Sequence, residues 1–233
     1  MKLKVLDLKN ETAVFLIENI NYSFANGLRR IFMNRVPTLA IEYVDFIEND
    51  SVISDEVLAH RLGLIPLTFG EKLFVTRDEC KCNGKGCSNC QVELKMNKVG
   101  PCTVYSGDLI SSEPSVKPVY DNIIICRLGS GMKLEFLAYA SLGIGEKHPK
   151  WQASLTTYVN LVKNAENKKT KKCWTQDYNL YCVECFEDLK DVTVEKDKFL
   201  FYLESVSGLT AKRIIEDGLE YAKKYLNQLK KAI

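Results

Sequence analysis

This sequence has no long apolar run, few histidines and almost no net charge, and each shortage removes a class of protein. Its longest unbroken apolar stretches, such as AVFLI at 13–17, run to about five residues. About 20 are needed to cross a bilayer as a helix, so no transmembrane helix is expected. The opening MKLKVLDLKN has no apolar core of the kind a secretion signal needs, and a cytoplasmic location is expected. Lys and Arg number 32 against 30 Asp and Glu, and a net charge of +2 is too mild to argue for nucleic acid by itself. The two histidines, His60 and His148, stand in unrelated contexts. There is no G-x-S-x-G, no Walker loop and no G-x-G-x-x-G after a strand, and the carboxylates form no paired motif. The glycine-rich LGSGMK (128–133) and LGIGEK (142–147) read as turns between strands. No internal repeat or low-complexity tract is present.

What remains is an ordinary globular composition: 46% hydrophobic and 27% charged over 233 residues, enough for one large domain or two modest ones. Residues 2–8 and 13–20 read as a hairpin, the first strand alternating at Leu3, Val5 and Leu8 with one slip. Ser23 is placed as the N-cap of a helix in which Phe24, Leu28, Ile31 and Phe32 recur at helical spacing, stopped by Pro37. A strand over about 39–47 and a short helical piece at 55–67 follow. Strand candidates then run from QVELKM to WQASLTTYV; KLEFLAYA, with Leu134, Phe136, Ala138 and Ala140 on one face, alternates most clearly. KNAENKKTKK (163–172) reads as a solvated loop, and 192–206 as a hairpin or bent strand. The end is a long amphipathic helix of roughly 22 residues, about 33 Å, with Ile214, Ile215, Leu219, Ala222, Leu226 and Leu229 as its stripe. That stripe packs either on the chain's own sheet or against a second chain.

The nine cysteines, an odd number without an export signal, read as thiols or metal ligands rather than disulfides. CKCNGKGCSNC places Cys80, Cys82, Cys87 and Cys90 at C-x-C-x4-C-x2-C spacing. Short spacers let one loop wrap an ion, and Gly84 and Gly86 supply the turns. Soft thiolates select zinc or an iron–sulfur cluster, and the compressed spacing suits a single small ion; two disulfides are the competing reading. Four sulfurs would close the coordination shell, so the expected metal is one structural zinc without a catalytic role. Cys173, Cys182 and Cys185 form a weaker set read as free cysteines, and Cys102 and Cys126 as buried strand residues.

The stretch 21–67 carries a resemblance. FANGLRRI (24–31) with Val36-Pro37, AIEYVDF (40–46) and AHRLGLIPL (59–67) together resemble, in order and spacing, the signature region of the alpha-like subunits of DNA-directed RNA polymerase, the archaeal D type in particular. KHPKWQASLTTY (147–158) and the four-cysteine loop are similar to further family segments. The resemblance covers essentially the whole chain, most loosely at 160–192. It implies an α+β fold: a split dimerisation domain (1–47 and 192–233), an inserted mostly-β domain (48–160) carrying the metal loop, and a shortened remnant of a ferredoxin-like insertion (161–191). The ferredoxin run C-x2-C-x2-C-x3-C-P is absent, so no iron–sulfur cluster is expected. The family role it implies is non-catalytic: pairing with the small alpha-like subunit L, then forming with subunits N and P the platform for the large subunits. The implied dimer seam includes Phe24, Leu28, Ile31, Phe32, Leu219, Ala222, Leu226 and Leu229. Arg29, Arg30, His60 and Arg61 resemble parts that face the large B-type subunit, against solvated-face, helix-cap and packing roles from the residues alone. DNA would be met only through the complex.

A free-standing zinc-ribbon that binds nucleic acid is the alternative. It calls for basic residues interleaved with aromatics around the metal loop. Lys81 and Lys85 are there, but no aromatic lies between 75 and 104.

Overall fold

The computed structural model describes residues 1–70, 74–163, 173–186 and 192–232. The basic run at 164–172 lies outside the described residues. In chain order the elements are β1 (Lys2–Leu8), β2 (Thr12–Glu18), α1 (Tyr22–Asn34), β3 (Thr38–Asn49), α2 (Asp55–Gly63), β4 (Gln91–Val99), β5 (Cys102–Tyr105), β6 (Ile110–Ser111), β7 (Ile124–Leu128), β8 (Lys133–Gly143), β9 (Ser154–Lys163), β10 (Thr193–Ser205) and α3 (Ala211–Ala232). The chain is α+β and divides into two units: residues 1–36, 154–205 and 210–233 form one, and residues 37–153 with 206–209 the other.

The first unit is an antiparallel sheet in the order β1-β2-β10-β9. The slip in the first strand is a bulge: Val5 pairs with Phe15, but Asp7, not Leu6, pairs with Val14. AVFLI is a continuous apolar run because β2 is covered on both faces. Phe15 stacks on Phe201 with ring centroids 5.1 Å apart and meets Phe32 of α1 edge-on at 6.2 Å. Val14 and Leu16, pointing the other way, pack with Val159, Leu161 and Leu200 against Cys182, Cys185 and Phe186. The 173–186 segment is therefore part of this unit's core.

Of the two readings of residues 192–206, the structure shows the strand and not the hairpin. These residues make one long strand whose register with β9 breaks between Val194 and Phe199, and Asn160 Nδ2 bridges the gap by donating to Glu195 O at 3.0 Å. The helix α1 is capped by Asn21, whose side chain accepts the Phe24 N–H at 2.9 Å; Ser23, the sequence-based cap, lies inside the helix. At the start of α3, Thr210 Oγ1 accepts the Arg213 N–H at 3.3 Å.

The second unit holds the sheet β3-β8-β4-β6 and the pair β5-β7. Leu134, Phe136, Ala138 and Ala140 of β8 face a core shared with Leu39 and Ile41 of β3, Leu58 and Leu62 of α2, and Val92 and Leu94 of β4. These pairings set the unit boundaries. Residues 37–47, expected with the first unit, pair along β8 through Thr38–Gly143 to Asn49–Leu134. Residues 154–160, expected with the second, pair with β10.

In the first unit Gly218 of α3 packs directly on α1. A Cβ there would meet the Phe32 ring at 2.6 Å, and that ring is fully buried. Alanine normally favours a helix over glycine by about 1 kcal/mol, but overpacking a filled core costs about 1–3 kcal/mol. Gly218→Ala is therefore expected to destabilise the fold, read as a lower urea midpoint with an unchanged denaturant slope.

Candidate functional site

The run from Cys80 to Cys90 folds as two turns that face each other. In the first, the Asn83 N–H reaches Cys80 O at 3.1 Å, and positive φ at Asn83 and Gly84 (53° and 78°) lets the Lys85 N–H reach Cys82 O at 3.2 Å. In the second, the Cys90 N–H donates to Cys87 O at 2.9 Å and the Cys87 N–H to Cys90 Sγ at 3.4 Å. The sulfurs converge: Cys80–Cys87 are 3.5 Å apart, Cys82–Cys90 3.6 Å and Cys87–Cys90 3.9 Å, and all four lie within 4.8 Å of one another. A tetrahedron of sulfurs about 2.3 Å from a central zinc has edges of about 3.8 Å. The donor set thus fits a single soft, tetrahedral ion, with Cys80 and Cys90 buried and Cys82 and Cys87 partly exposed.

Without an ion the sulfurs compete for protons. The Cys82 N–H favours the Cys80 thiolate, but the hydrogen bond that the Cys80 thiol donates to the Cys82 sulfur, burial, and the Cys87 and Cys90 sulfurs outweigh it and push Cys80 up to about 12. The hydrogen bond from Cys80 pulls Cys82 down to about 6. Burial pushes Cys90 up. Near neutral pH, Cys82 is a thiolate while Cys80 and Cys90 keep their protons, so metal loading must expel protons. Affinity is expected to rise with pH and to fall on acidification, checked by zinc titrations at several pH values. Cys87→Ser, which removes one of four ligands, is expected to lower bound zinc well below one per chain, measured by elemental analysis.

The second cysteine set differs from the free thiols expected. Cys173 and Cys185 form a disulfide, and only Cys182 is free, its Sγ 3.6 Å from Cys185 Sγ. Folding on the sheet brings together residues that are distant in sequence, which spacing alone does not reveal. Cys126 is buried in β7 as expected; Cys102 is partly exposed.

The residues assigned to the seam separate into two groups. Leu28 and Phe32 are buried in the chain's own core, which corrects their assignment to a seam with another chain. Ile31 and Ala222 are half-buried. Phe24, Leu219 and Leu226 are exposed, Leu226 by 53%, and Tyr22 and Tyr225 join them. The side chain of Leu229 lies outside the described residues. Arg29 lies along its own helix, donating to Asn26 Oδ1 at 3.1 Å and to Met33 Sδ at 3.2 Å, whereas Arg30 is exposed. His60 is exposed at the end of α2; Arg61 is also exposed but ties α2 to β7 by donating to Ile125 O at 2.8 Å. Sequence reasoning missed Arg77 and Gln91, which flank the cysteine loop and bond to each other. Their positions just outside the ligand run are the only sequence signal they carry.

Comparison with known proteins gives these features a family. Residues 44–162 match the RNA polymerase Rpb3/RpoA insert domain. The chain is 45% identical over 163 residues to the DNA-directed RNA polymerase subunit Rpo3 of Methanosarcina acetivorans, a match covering 69% of this chain and 61% of that protein. With the subunit of the same name from Pyrococcus furiosus it shares 36% identity over 200 residues, covering 84% and 74% respectively. The match to the Archaeoglobus fulgidus subunit Rpo3 is 31% over 263 residues and covers 100% of this chain and 97% of that protein. It thus spans less than two thirds of some relatives and nearly all of others. The chain belongs to the archaeal Rpo3 family of alpha-like subunits of DNA-directed RNA polymerase.

Proposed function

We propose that this chain is a non-catalytic assembly subunit of a DNA-dependent RNA polymerase. In this reading it pairs with the small alpha-like subunit L and, with subunits N and P, forms the platform on which the large subunits, B among them, assemble. The observation that carries the pairing is the uncovered apolar stripe of α3. Leu219, Tyr225 and Leu226 are 40–53% exposed, on a helix whose first turns are anchored by buried Ala211 and Ile214. Exposed Tyr22 and Phe24 at the start of α1 add to the apolar surface of the same unit. Burying one such side chain contributes about 1.5–3 kcal/mol, so a handful of them supports a stable association.

The remaining assignments follow the same reading. The four-cysteine loop holds one zinc and shapes its part of the second unit. The exposure of Arg30, of His60 and of Arg61 supports a contact of each with a large subunit; Arg29, engaged along its own helix, is the weaker member of that set. The 161–191 stretch is a shortened ferredoxin-like insertion, of which 173–186 packs on the sheet.

Co-expression with subunit L, followed by sizing chromatography, tests the pairing. A one-to-one complex is expected. Leu226→Asp sets a carboxylate into the seam and is expected to weaken the complex by about 2–4 kcal/mol, roughly 30- to 1000-fold in affinity, with the circular dichroism of the chain itself unchanged. A monomer indifferent to L would overturn the pairing.

A further inference from the structure

A metal loop is held by the two chain ends that carry it. Here they are the helical turn Arg77–Glu79, which runs into Cys80, and Gln91, the residue after Cys90 and the first of β4. Arg77 Nη2 donates to Gln91 Oε1, so one side-chain bond crosses the base of the loop from before the first ligand to after the last. The Arg77 carbonyl also accepts the Cys80 N–H at 3.4 Å. The guanidinium lies over the Tyr43 ring, 4.8 Å from its centroid, and Nε stands 3.9 Å from Glu42 Oε2. Tyr43 and Glu42 both belong to β3, and Glu42 in turn accepts the Ser141 hydroxyl of β8. Gly86, between the two cysteine pairs, presses on the same bond: a Cβ there would collide with Gln91 Oε1 and lie 3.5 Å from Arg77 Nη2.

The Arg77 side chain is 23% exposed, and Nε is the one buried side-chain nitrogen or oxygen among the described residues without a hydrogen-bond partner. Burying a guanidinium with one donor unpaired is unfavourable. An arginine that served only solubility would avoid it. The cost is offset by what the fork holds: a planar group that stacks on Tyr43 and bonds Gln91 at once, a geometry lysine does not reproduce.

We propose that Arg77 is a positioning residue for the four-cysteine centre. Its fork closes the base of the loop through Gln91 and anchors that base on β3, so that the two cysteine pairs face each other. This rests on the reading of the loop as a metal centre.

The test uses the full chain loaded with cobalt(II) or zinc. The thiolate-to-cobalt absorption reports the ligand set, and transfer of metal to a chelator reports its release rate. Arg77→Ala is expected to keep four-thiolate absorption yet release metal roughly 10- to 100-fold faster, as for other residues that orient metal ligands. Gln91→Leu is expected to do the same, and the double variant to be no faster than either single one. Arg77→Lys does not restore slow release, whereas Gln91→Glu, which keeps an acceptor for the fork, does. Lys147→Ala, which removes the exposed Lys147–Asp78 ion pair beside the loop, leaves the rate unchanged. Should Arg77→Ala be too unstable to purify, the contrast between Gln91→Leu and Gln91→Glu decides. Wild-type release rates in Arg77→Ala and Gln91→Leu would overturn the clamp and leave the metal centre standing. Absence of thiolate absorption in the wild type would overturn both.

Discussion

Two helices of unequal length share one face of the first unit, and much of what the chain does follows from the mismatch. The 22 residues of α3 extend about 33 Å, and the 13 of α1 about 20 Å. The shorter helix cannot cover the longer one. The close approach at Gly218 fixes where cover ends: Ala211, Ile214 and Gly218 are buried, Tyr221 and Ala222 are half-buried, and from Lys223 onward every described side chain is exposed. The amphipathic pattern nevertheless continues past that point through Tyr225 and Leu226. An apolar stripe outrunning its own sheet is stable only when something else lies against it. The proposed pairing with a second alpha-like chain supplies a surface of that kind.

The cysteine loop answers a different constraint. Eleven residues with two glycines and no large apolar side chain cannot hold a shape by hydrophobic burial. In the proposed reading, shape comes from ligands converging on one ion and from the chain ends that deliver them. The turns at Asn83-Gly84 and Cys87–Cys90 set the sulfurs at tetrahedral separations, and the Arg77–Gln91 bond sets the turns against each other. A bound metal and the proposed clamp would act on the same degrees of freedom, since each would restrain the distance between Cys80 and Cys90. The proposed clamp would therefore matter most when the ion is absent or exchanging.

Local patterns were legible in the sequence, and long-range partners were not. The alternation of KLEFLAYA gave the inward face of β8, and the slip in KLKVLDL marked the bulge opposite Phe15 and Val14. The length and stripe of the last helix were also plain, as was the convergence implied by C-x-C-x4-C-x2-C. The misreadings share a cause. Ser23 and Asn21 are both good caps, and only the backbone shows which stands at the turn. Leu28 and Leu226 look alike on a helical wheel, but the first is buried by the chain's own sheet and the second by nothing among the described residues. The strand at 38–49 could have joined either unit until its pairing with β8 was seen. Arg77 is one arginine of seven until its fork is found on Gln91.

Membership in a polymerase family does not place polymerase chemistry on this chain, because function resides in sites and not in folds. The groups that draw attention in a search for catalysis have structural uses here. His148 Nδ1 accepts the Lys150 N–H at 3.1 Å and caps the turn Pro149–Trp151. His60 stands exposed in the last turn of α2. Burial pulls the Lys150 ammonium down, the kind of shift that marks active-site amines. Yet Lys150 donates to Ile41 O at 3.2 Å and lies 4.3 Å over the Trp151 ring, joining β3 to the turn that packs beside it. Trp151 in turn fills the space over Gly143, where a Cβ would have no room, and donates to Ser141 O at 3.1 Å. The lysine thus holds two segments of the second unit together. The burial that shifts this amine is therefore accounted for by the contacts it makes within the second unit.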